Sequence, residues 1–235
     1  MVSPLPPVDR SDPSDPSDPS DPDAVDDRSP PTLVVARRIP VTLAEGPGRR
    51  FALWLQGCPL RCPGCCNPQM LTFEGGSRIP VDTLLEEIAQ ATRAHALEGL
   101  TVLGGEPLAQ IEALTALCRG VTPLGLGVIV FSGYRRAEAE RRPGFAALWP
   151  TLDTLVDGRY DARRPEPAPL DGGRRFIGSA NQRLWHRSER YRDPALWTGQ
   201  PRVEIHFDAT GGFSAHGDPN TLDALLGALP RRPAR

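Results

Sequence analysis

Four of the five cysteines lie within the twelve residues 56–67, and Cys58, Cys62 and Cys65 are spaced as Cys-x3-Cys-x2-Cys. Thiolates this close in sequence converge on one centre only if the backbone forms a tight loop. The two prolines and Gly64 of this segment favour such a loop. Soft thiolates prefer an iron–sulfur cluster, zinc or copper(I) to harder cations. A 4Fe-4S cluster held by three cysteines keeps one iron open to a non-protein ligand, whereas electron-transfer clusters normally use four.

The segments that must position these cysteines alternate between strand and helix from residue 31 onward. Apolar runs and amphipathic stripes predict an α/β fold with a mainly parallel sheet, whose ligands collect at the carboxyl ends of the strands. The predicted strands cover residues 33–39, 51–55, 100–103, 128–131, 152–156 and 203–207, and the predicted helices cover 81–95, 108–118, 137–148 and 221–229.

Three of the predicted strands end in segments that suit a binding site. The cysteine loop, residues 56–67, follows the strand 51–55. A Gly-Gly-Glu-Pro segment, residues 104–107, follows the next core strand, and Ser132 ends the one after it. Carboxyl ends of parallel strands meet at one edge of a sheet, so we expect these three segments to surround one site.

The cysteine spacing resembles that of the radical S-adenosylmethionine superfamily. Within it, the string Gln-Gly-Cys at 56–58 followed by Cys-Pro-Gly-Cys-x-Asn at 62–67 most resembles the activating enzymes of anaerobic ribonucleotide reductase. The segments 45–50, 155–158 and 178–183 resemble further strings of glycyl-radical-enzyme activases, so that the resemblance runs from about 45 to 183. It implies a partial (incomplete) β/α barrel of the radical S-adenosylmethionine type, with mainly parallel strands.

The resemblance also implies a reaction, two cofactors and two protein partners. Cys58, Cys62 and Cys65 would hold the 4Fe-4S cluster, and S-adenosylmethionine would chelate the open iron. Reductive cleavage would give a deoxyadenosyl radical, which takes a hydrogen atom from a glycine of a partner glycyl radical enzyme. Flavodoxin or ferredoxin would supply the electron.

Five residues are expected to contact S-adenosylmethionine. Gly104, Gly105 and Glu106 match the segment that receives the methionine amino group, and Ser132 matches a hydroxyl position near the ribose. Gly64 belongs to the cysteine loop itself. Alone, the 104–107 segment could be an ordinary strand-to-helix turn and Ser132 a turn residue.

Other interpretations of the cysteine cluster stay open. A zinc site completed by Cys66 or by His95, His186, His206 or His216 is the first, although structural zinc usually uses separated ligand pairs. A radical S-adenosylmethionine enzyme that acts on a small metabolite or peptide, and a non-catalytic iron–sulfur or zinc module, are the others.

One residue departs from the family pattern, and the functions of several others are not determined by it. The activases carry an aromatic residue where this chain has Cys66, and we take Cys65 as the ligand and Cys66 as its neighbour. Cys118 is predicted to be a buried small hydrophobe. His206 and Asp208 share one face of a strand. The functions of Asn181, Gln182 and Arg183, and of residues 184–235 in general, are left open by the sequence.

Composition sets the domain organisation and excludes several functions. Residues 1–30 carry four Ser-Asp-Pro repeats and a charge balance of −6, which predicts a disordered acidic tail. We expect one domain over 31–229 and a flexible basic end over 230–235. All 27 basic residues are arginine, which excludes a lysine nucleophile. From these features we expect no membrane span, no signal peptide and no nucleic-acid partner, and the clustered cysteines favour the cytoplasm.

Overall fold

The computed structural model describes residues 30–207 and 213–218, together with 221, 222 and 225. The predicted acidic tail and the C-terminal end, 230–235, lie outside the described residues apart from position 30. Most of the helix predicted over 221–229 and Asp208 also lie outside them. Within the described part, none of the helices is long and apolar enough to cross a membrane.

Two sheets account for the strands of the described residues. The larger has seven strands in the order β3-β1-β2-β4-β5-β6-β7, and the smaller is the hairpin β8-β9. The strands are β1 Thr32–Thr42, β2 Arg50–Leu55, β3 Ser77–Pro80, β4 Gly99–Gly104, β5 Gly127–Ser132, β6 Thr154–Asp157, β7 Arg183–His186, β8 Val203–Phe207 and β9 Phe213–Gly217.

The centre of the large sheet is parallel, as predicted. β2, β4, β5 and β6 pair in parallel, and their residues are almost all buried because helices cover the sheet. The flanking pairs differ: β1 is antiparallel to β2 and to β3, and β7 is antiparallel to β6. The prediction of a mainly parallel sheet is therefore confirmed for its core, with antiparallel strands added at both edges.

The first two α-helices connect the parallel strands. α1 covers Val81–His95, the predicted bounds, and buries the stripe Val81, Leu84, Ile88 and Ala91 against the sheet. A 3-10 turn at Pro107–Gln110 precedes α2, Ile111–Val121, which buries Leu114, Leu117 and Cys118. The prediction for Cys118 is thus confirmed.

The single helix predicted around 137–148 is wrong. The chain forms two one-turn helices instead, α3 Arg136–Ala139 and α4 Phe145–Leu148. Pro143 lacks the N–H that a continuous helix needs, and Gly144 adopts a φ of 84°, so that the two turns are separated.

A buried arginine fixes the amino ends of the parallel strands. Arg50 is fully buried and donates to the carbonyls of Leu100 and Gly127 and to the hydroxyls of Thr101 and Tyr191. Burial lowers the pKa of its guanidinium from the usual range. This end of the sheet is therefore a structural anchor, and the opposite, carboxyl ends are left for binding.

Candidate active site

A cavity of about 600 Å³ opens at the carboxyl ends of the parallel strands. This volume suits a cofactor or substrate of moderate size. The cavity is lined by all eight of the residues that the sequence predicts for the site: Cys58, Cys62, Gly64, Cys65, Gly104, Gly105, Glu106 and Ser132. The structure therefore brings the predicted site residues together around one space.

Hydrogen bonds from residues 56–58, at the start of the cysteine loop, to residues 70–72, just after it, hold the loop in place. The Gly57 N–H donates to the Met70 carbonyl at 3.1 Å, and the Cys58 N–H donates to the Leu71 carbonyl at 3.3 Å. The Gln56 side chain adds a bond to the Thr72 carbonyl at 2.8 Å. These bonds join the two ends of the loop and so close its base.

The three predicted cluster ligands lie close together at the cavity. Cys58 is 7% exposed, and Cys62 and Cys65 are half-buried. Burial raises the pKa of the Cys62 thiol, and the nearby thiols of Cys58 and Cys65 act in the same direction. Cys66, in contrast, is exposed. A set of three converging thiols is the donor set that an iron–sulfur cluster with one open iron requires.

Glu106 connects the ends of two neighbouring strands. Its carboxylate accepts hydrogen bonds from the Leu108 N–H at 2.8 Å, the Ser132 hydroxyl at 2.9 Å and the Gly133 N–H at 2.8 Å. The residue is 0% exposed, and burial raises the pKa of its carboxyl while the three donors oppose that shift. Glu106 therefore orders the strand ends around the cavity.

Gly104 and Gly105 allow the strand end to approach the cysteine loop closely. Gly104 has a φ of 112°, and a Cβ on it would lie 2.4 Å from the Leu55 nitrogen. A Cβ on Gly105 would lie 2.3 Å from the Gly57 carbonyl oxygen. The Gly105 N–H donates to the Leu55 carbonyl at 2.8 Å, and the Glu106 N–H donates to the Gly57 carbonyl at 2.9 Å. The glycines thus join the Gly-Gly-Glu-Pro segment to the cysteine loop.

The polar segment 181–183, whose function the sequence left open, supports the same edge of the sheet. The Gln182 amide donates to the Gly158 carbonyl at 3.2 Å and accepts from the N–H groups of Gly178 and Ser179. Asn181 donates to the Arg159 carbonyl at 2.8 Å. Gln182 lines the cavity, whereas Asn181 and Arg183 are absent from its lining among the described residues.

Several further lining residues could not be identified from the sequence. Trp54, Phe131, Tyr160 and Phe176 give the cavity apolar and aromatic walls, the kind of surface that binds an adenine ring. His216 also lines it, and among the four histidines, which all lie within the described residues, it is the only one that does. Of the aromatic residues left open, Tyr191 and Trp197 are buried and Trp185 is 37% exposed.

The comparison with known proteins agrees with this geometry. Residues 44–185, more than half of the chain, match the family described as a 4Fe-4S single cluster domain. The chain is 30% identical over 148 residues to the anaerobic ribonucleoside-triphosphate reductase-activating protein of Vibrio cholerae. This alignment covers 61% of this chain and 91% of that protein. The chain is 31% identical over 157 residues to the protein of that name from Salmonella typhimurium (63% and 94%).

A relative with a lower sequence identity carries the same name. The anaerobic ribonucleoside-triphosphate reductase-activating protein of Enterobacteria phage T4 is 25% identical over 158 residues, 65% of this chain and 94% of that protein. These alignments cover nearly the whole length of each relative. The chain therefore belongs to the family of 4Fe-4S single cluster domain proteins that includes the anaerobic ribonucleoside-triphosphate reductase-activating proteins.

Proposed function

We propose that this protein is a radical S-adenosylmethionine enzyme that activates an anaerobic ribonucleoside-triphosphate reductase by hydrogen abstraction from a glycine of that partner. The observation that carries the proposal is the convergence of Cys58, Cys62 and Cys65 with the Gly-Gly-Glu-Pro segment and Ser132 on one cavity. The names of the relatives supply the partner class.

The cysteines would hold the cluster, and the cavity would hold S-adenosylmethionine against its open iron. When bound and reduced, the two cofactors supply the bond cleavage that gives methionine and a deoxyadenosyl radical. The chain itself orients the sulfonium and excludes water. The half-buried positions of Cys62 and Cys65, beside the buried Cys58, suit a cluster that faces the cavity.

Some residues around S-adenosylmethionine would contact it, whereas Glu106 would hold those residues in position. Gly104 and Gly105 line the cavity with backbone, and we assign the methionine amino group to them. Glu106 already accepts three protein hydrogen bonds and is fully buried, so its role is to hold this backbone in place. Ser132 retains acceptor capacity beside the ribose position that the family resemblance implies.

The surface near the cysteines supports a proposal for the electron donor, and the thiols themselves support one for the compartment. Arg61 is exposed within the cysteine loop, and the positive charge of Arg159 acts on the Cys62 thiol. An acidic one-electron carrier such as flavodoxin or ferredoxin suits this surface. Three free thiols need a reducing compartment, and we propose the cytoplasm. We also propose that the large sheet curves as an incomplete β/α barrel, which its parallel core supports.

The reaction is tested by mixing the anaerobically reconstituted protein with S-adenosylmethionine, a reductant and an anaerobic ribonucleoside-triphosphate reductase. We expect a glycyl-radical signal in electron paramagnetic resonance and a matching yield of deoxyadenosine. Cys62→Ala should abolish both, whereas Cys118→Ala, a buried cysteine outside the site, should retain both. Deoxyadenosine without a glycyl radical would favour a small-molecule or peptide substrate, and neither product would favour a non-catalytic module.

The ligand assignment is tested with two adjacent cysteines. Cys65→Ala should lose the cluster, because only two of the three converging thiols remain. Cys66→Ala should keep the iron content of the unaltered protein, since Cys66 is exposed and outside the ligand set that we propose. The reverse result would show that Cys66, and not Cys65, is the third ligand, and it would not contradict the proposed cluster.

A further inference from the structure

The hairpin β8–β9, which follows the end of the family match at residue 185, carries a second group of metal-binding side chains, one of which, His216, lines the cavity. Glu204 and His206 lie two positions apart on β8, and His216 on β9 pairs directly with Glu204. Side chains two apart on a strand share a face with those of the paired neighbour, so all three point to the same side.

The ligand atoms of these residues form a nearly equilateral triangle. The Nε2 atoms of His206 and His216 are 3.1 Å apart. The Glu204 Oε2 atom lies 3.4 Å from the Nε2 of His216 and 3.6 Å from that of His206. A tetrahedral zinc ion with bonds of about 2.0–2.1 Å separates its ligand atoms by about 3.3 Å, which is close to all three distances.

Neighbouring groups fix the orientation of two of these ligands. The Glu45 Oε1 atom lies 2.8 Å from His216 Nδ1, a contact that favours the tautomer with its proton on Nδ1 and its Nε2 lone pair facing the triangle. The Leu43 N–H donates to the Glu204 Oε1 atom at 2.7 Å, which turns Oε2 toward the two imidazoles. A carboxylate behind a metal-binding histidine is the usual arrangement in zinc sites.

A hydrogen bond alone accounts for only part of this geometry. One proton shared between the two Nε2 atoms satisfies the histidine pair. It leaves Glu204 Oε2 at distances from both nitrogens that exceed a normal N–H···O bond. A cation at the centre of the triangle would use all three ligand atoms at once.

We propose that Glu204, His206 and His216 bind one divalent transition-metal ion of the zinc class, at a site separate from the cysteine cluster. Two imidazoles and a carboxylate leave a fourth position for water. His216 and Glu45 line the cavity, so that the ion would fasten the hairpin to the segment that carries Leu43 and Glu45, at the wall of the cofactor site. Since zinc is not redox-active, its role there is to hold the hairpin in place.

The test measures zinc and iron together in the full-length, cluster-reconstituted protein after dialysis against buffered micromolar zinc. We expect one zinc ion per chain in addition to the iron of the cluster. His206→Ala should weaken zinc binding by about ten-fold or more with the iron content unchanged, and Glu45→Gln should weaken it by about 10–100-fold. His95→Ala removes an exposed imidazole at the end of α1 and should bind zinc like the unaltered protein.

Cobalt(II) distinguishes this site from the thiols. In a Cys58→Ser, Cys62→Ser, Cys65→Ser variant, we expect the visible bands of tetrahedral cobalt without the near-ultraviolet bands of a cobalt–thiolate site. The proposal is overturned if the unaltered protein retains no zinc, if His206→Ala retains it equally, or if cobalt binding disappears with the cysteines. None of these results depends on the activity of the protein, so they leave the proposed reaction unaffected.

Discussion

Glu106 offers the sharpest test of how the site is built. Among the contacts described above, its carboxylate alone links the segment after β4 to the end of β5 by side-chain hydrogen bonds. Glu106→Ala would leave the donors of Leu108, Ser132 and Gly133 without their acceptor. Each buried donor left unsatisfied costs about 1–3 kcal/mol. Allowing for relaxation and entry of water, we expect the free energy of unfolding to fall by about 3–5 kcal/mol.

Ser132→Ala provides an internal check on this magnitude. It removes one hydrogen bond to the carboxylate, and hydrogen bonds to charged groups contribute about 1.5–3 kcal/mol. Because both substitutions remove the same bond, the double variant should lose less stability than the two single variants together, by about 1–2 kcal/mol.

The assay is anaerobic urea unfolding of the chain before cluster loading, followed by circular dichroism. The control is Glu86→Ala, which removes an exposed carboxylate on α1 and should change stability by less than about 0.5 kcal/mol. A Glu106→Ala variant as stable as this control would refute the assignment of Glu106 as a buried acceptor. In reconstituted protein, the same variant should also bind S-adenosylmethionine more weakly, since Gly104 and Gly105 would lose their support.

Three further predictions concern buried or half-buried groups outside the cavity. Tyr191→Phe removes a hydroxyl that accepts from the buried Arg50 guanidinium at 2.7 Å, and should lower the free energy of unfolding by about 1–3 kcal/mol in urea titration. Burial raises the pKa of Cys118 to about 12, so that iodoacetamide at pH 8 should label the exposed Cys66 and spare Cys118 in mass spectrometry of the folded, cluster-free chain. Burial lowers the pKa of His186 below 6.5, and the stability of the unaltered protein relative to His186→Gln should therefore fall as the pH drops below 6.5 through that lowered value.

Local signals in the sequence were enough to predict the parallel core of the sheet and the edge of the sheet at which the site lies. The apolar stripe of α1 has a helical period, and its bounds, Val81–His95, match the prediction because Pro80 precedes the stripe and left-handed Ala96 ends it. The site residues could be placed together because three motifs each follow a buried strand, and parallel strands end at one edge.

The parts that sequence missed depend on contacts between distant residues. β7 is four residues long and half-exposed, and β9 acquires its role only by pairing with β8. The three bonds of Glu106 include partners 26 and 27 residues away, which no local pattern encodes. For the same reason, the contact of His216 with Glu45, 171 residues apart, could be found only in the folded chain.

The central claim is that one cavity holds both a cluster with an open iron and S-adenosylmethionine. It is tested most directly by electron paramagnetic resonance of the anaerobically reconstituted, dithionite-reduced protein, before and after S-adenosylmethionine is added. We predict a reduced 4Fe-4S signal that changes on addition and release of deoxyadenosine, with both lost in Cys62→Ala. A cluster signal that is indifferent to S-adenosylmethionine, with the S-adenosylmethionine recovered intact, would contradict the account.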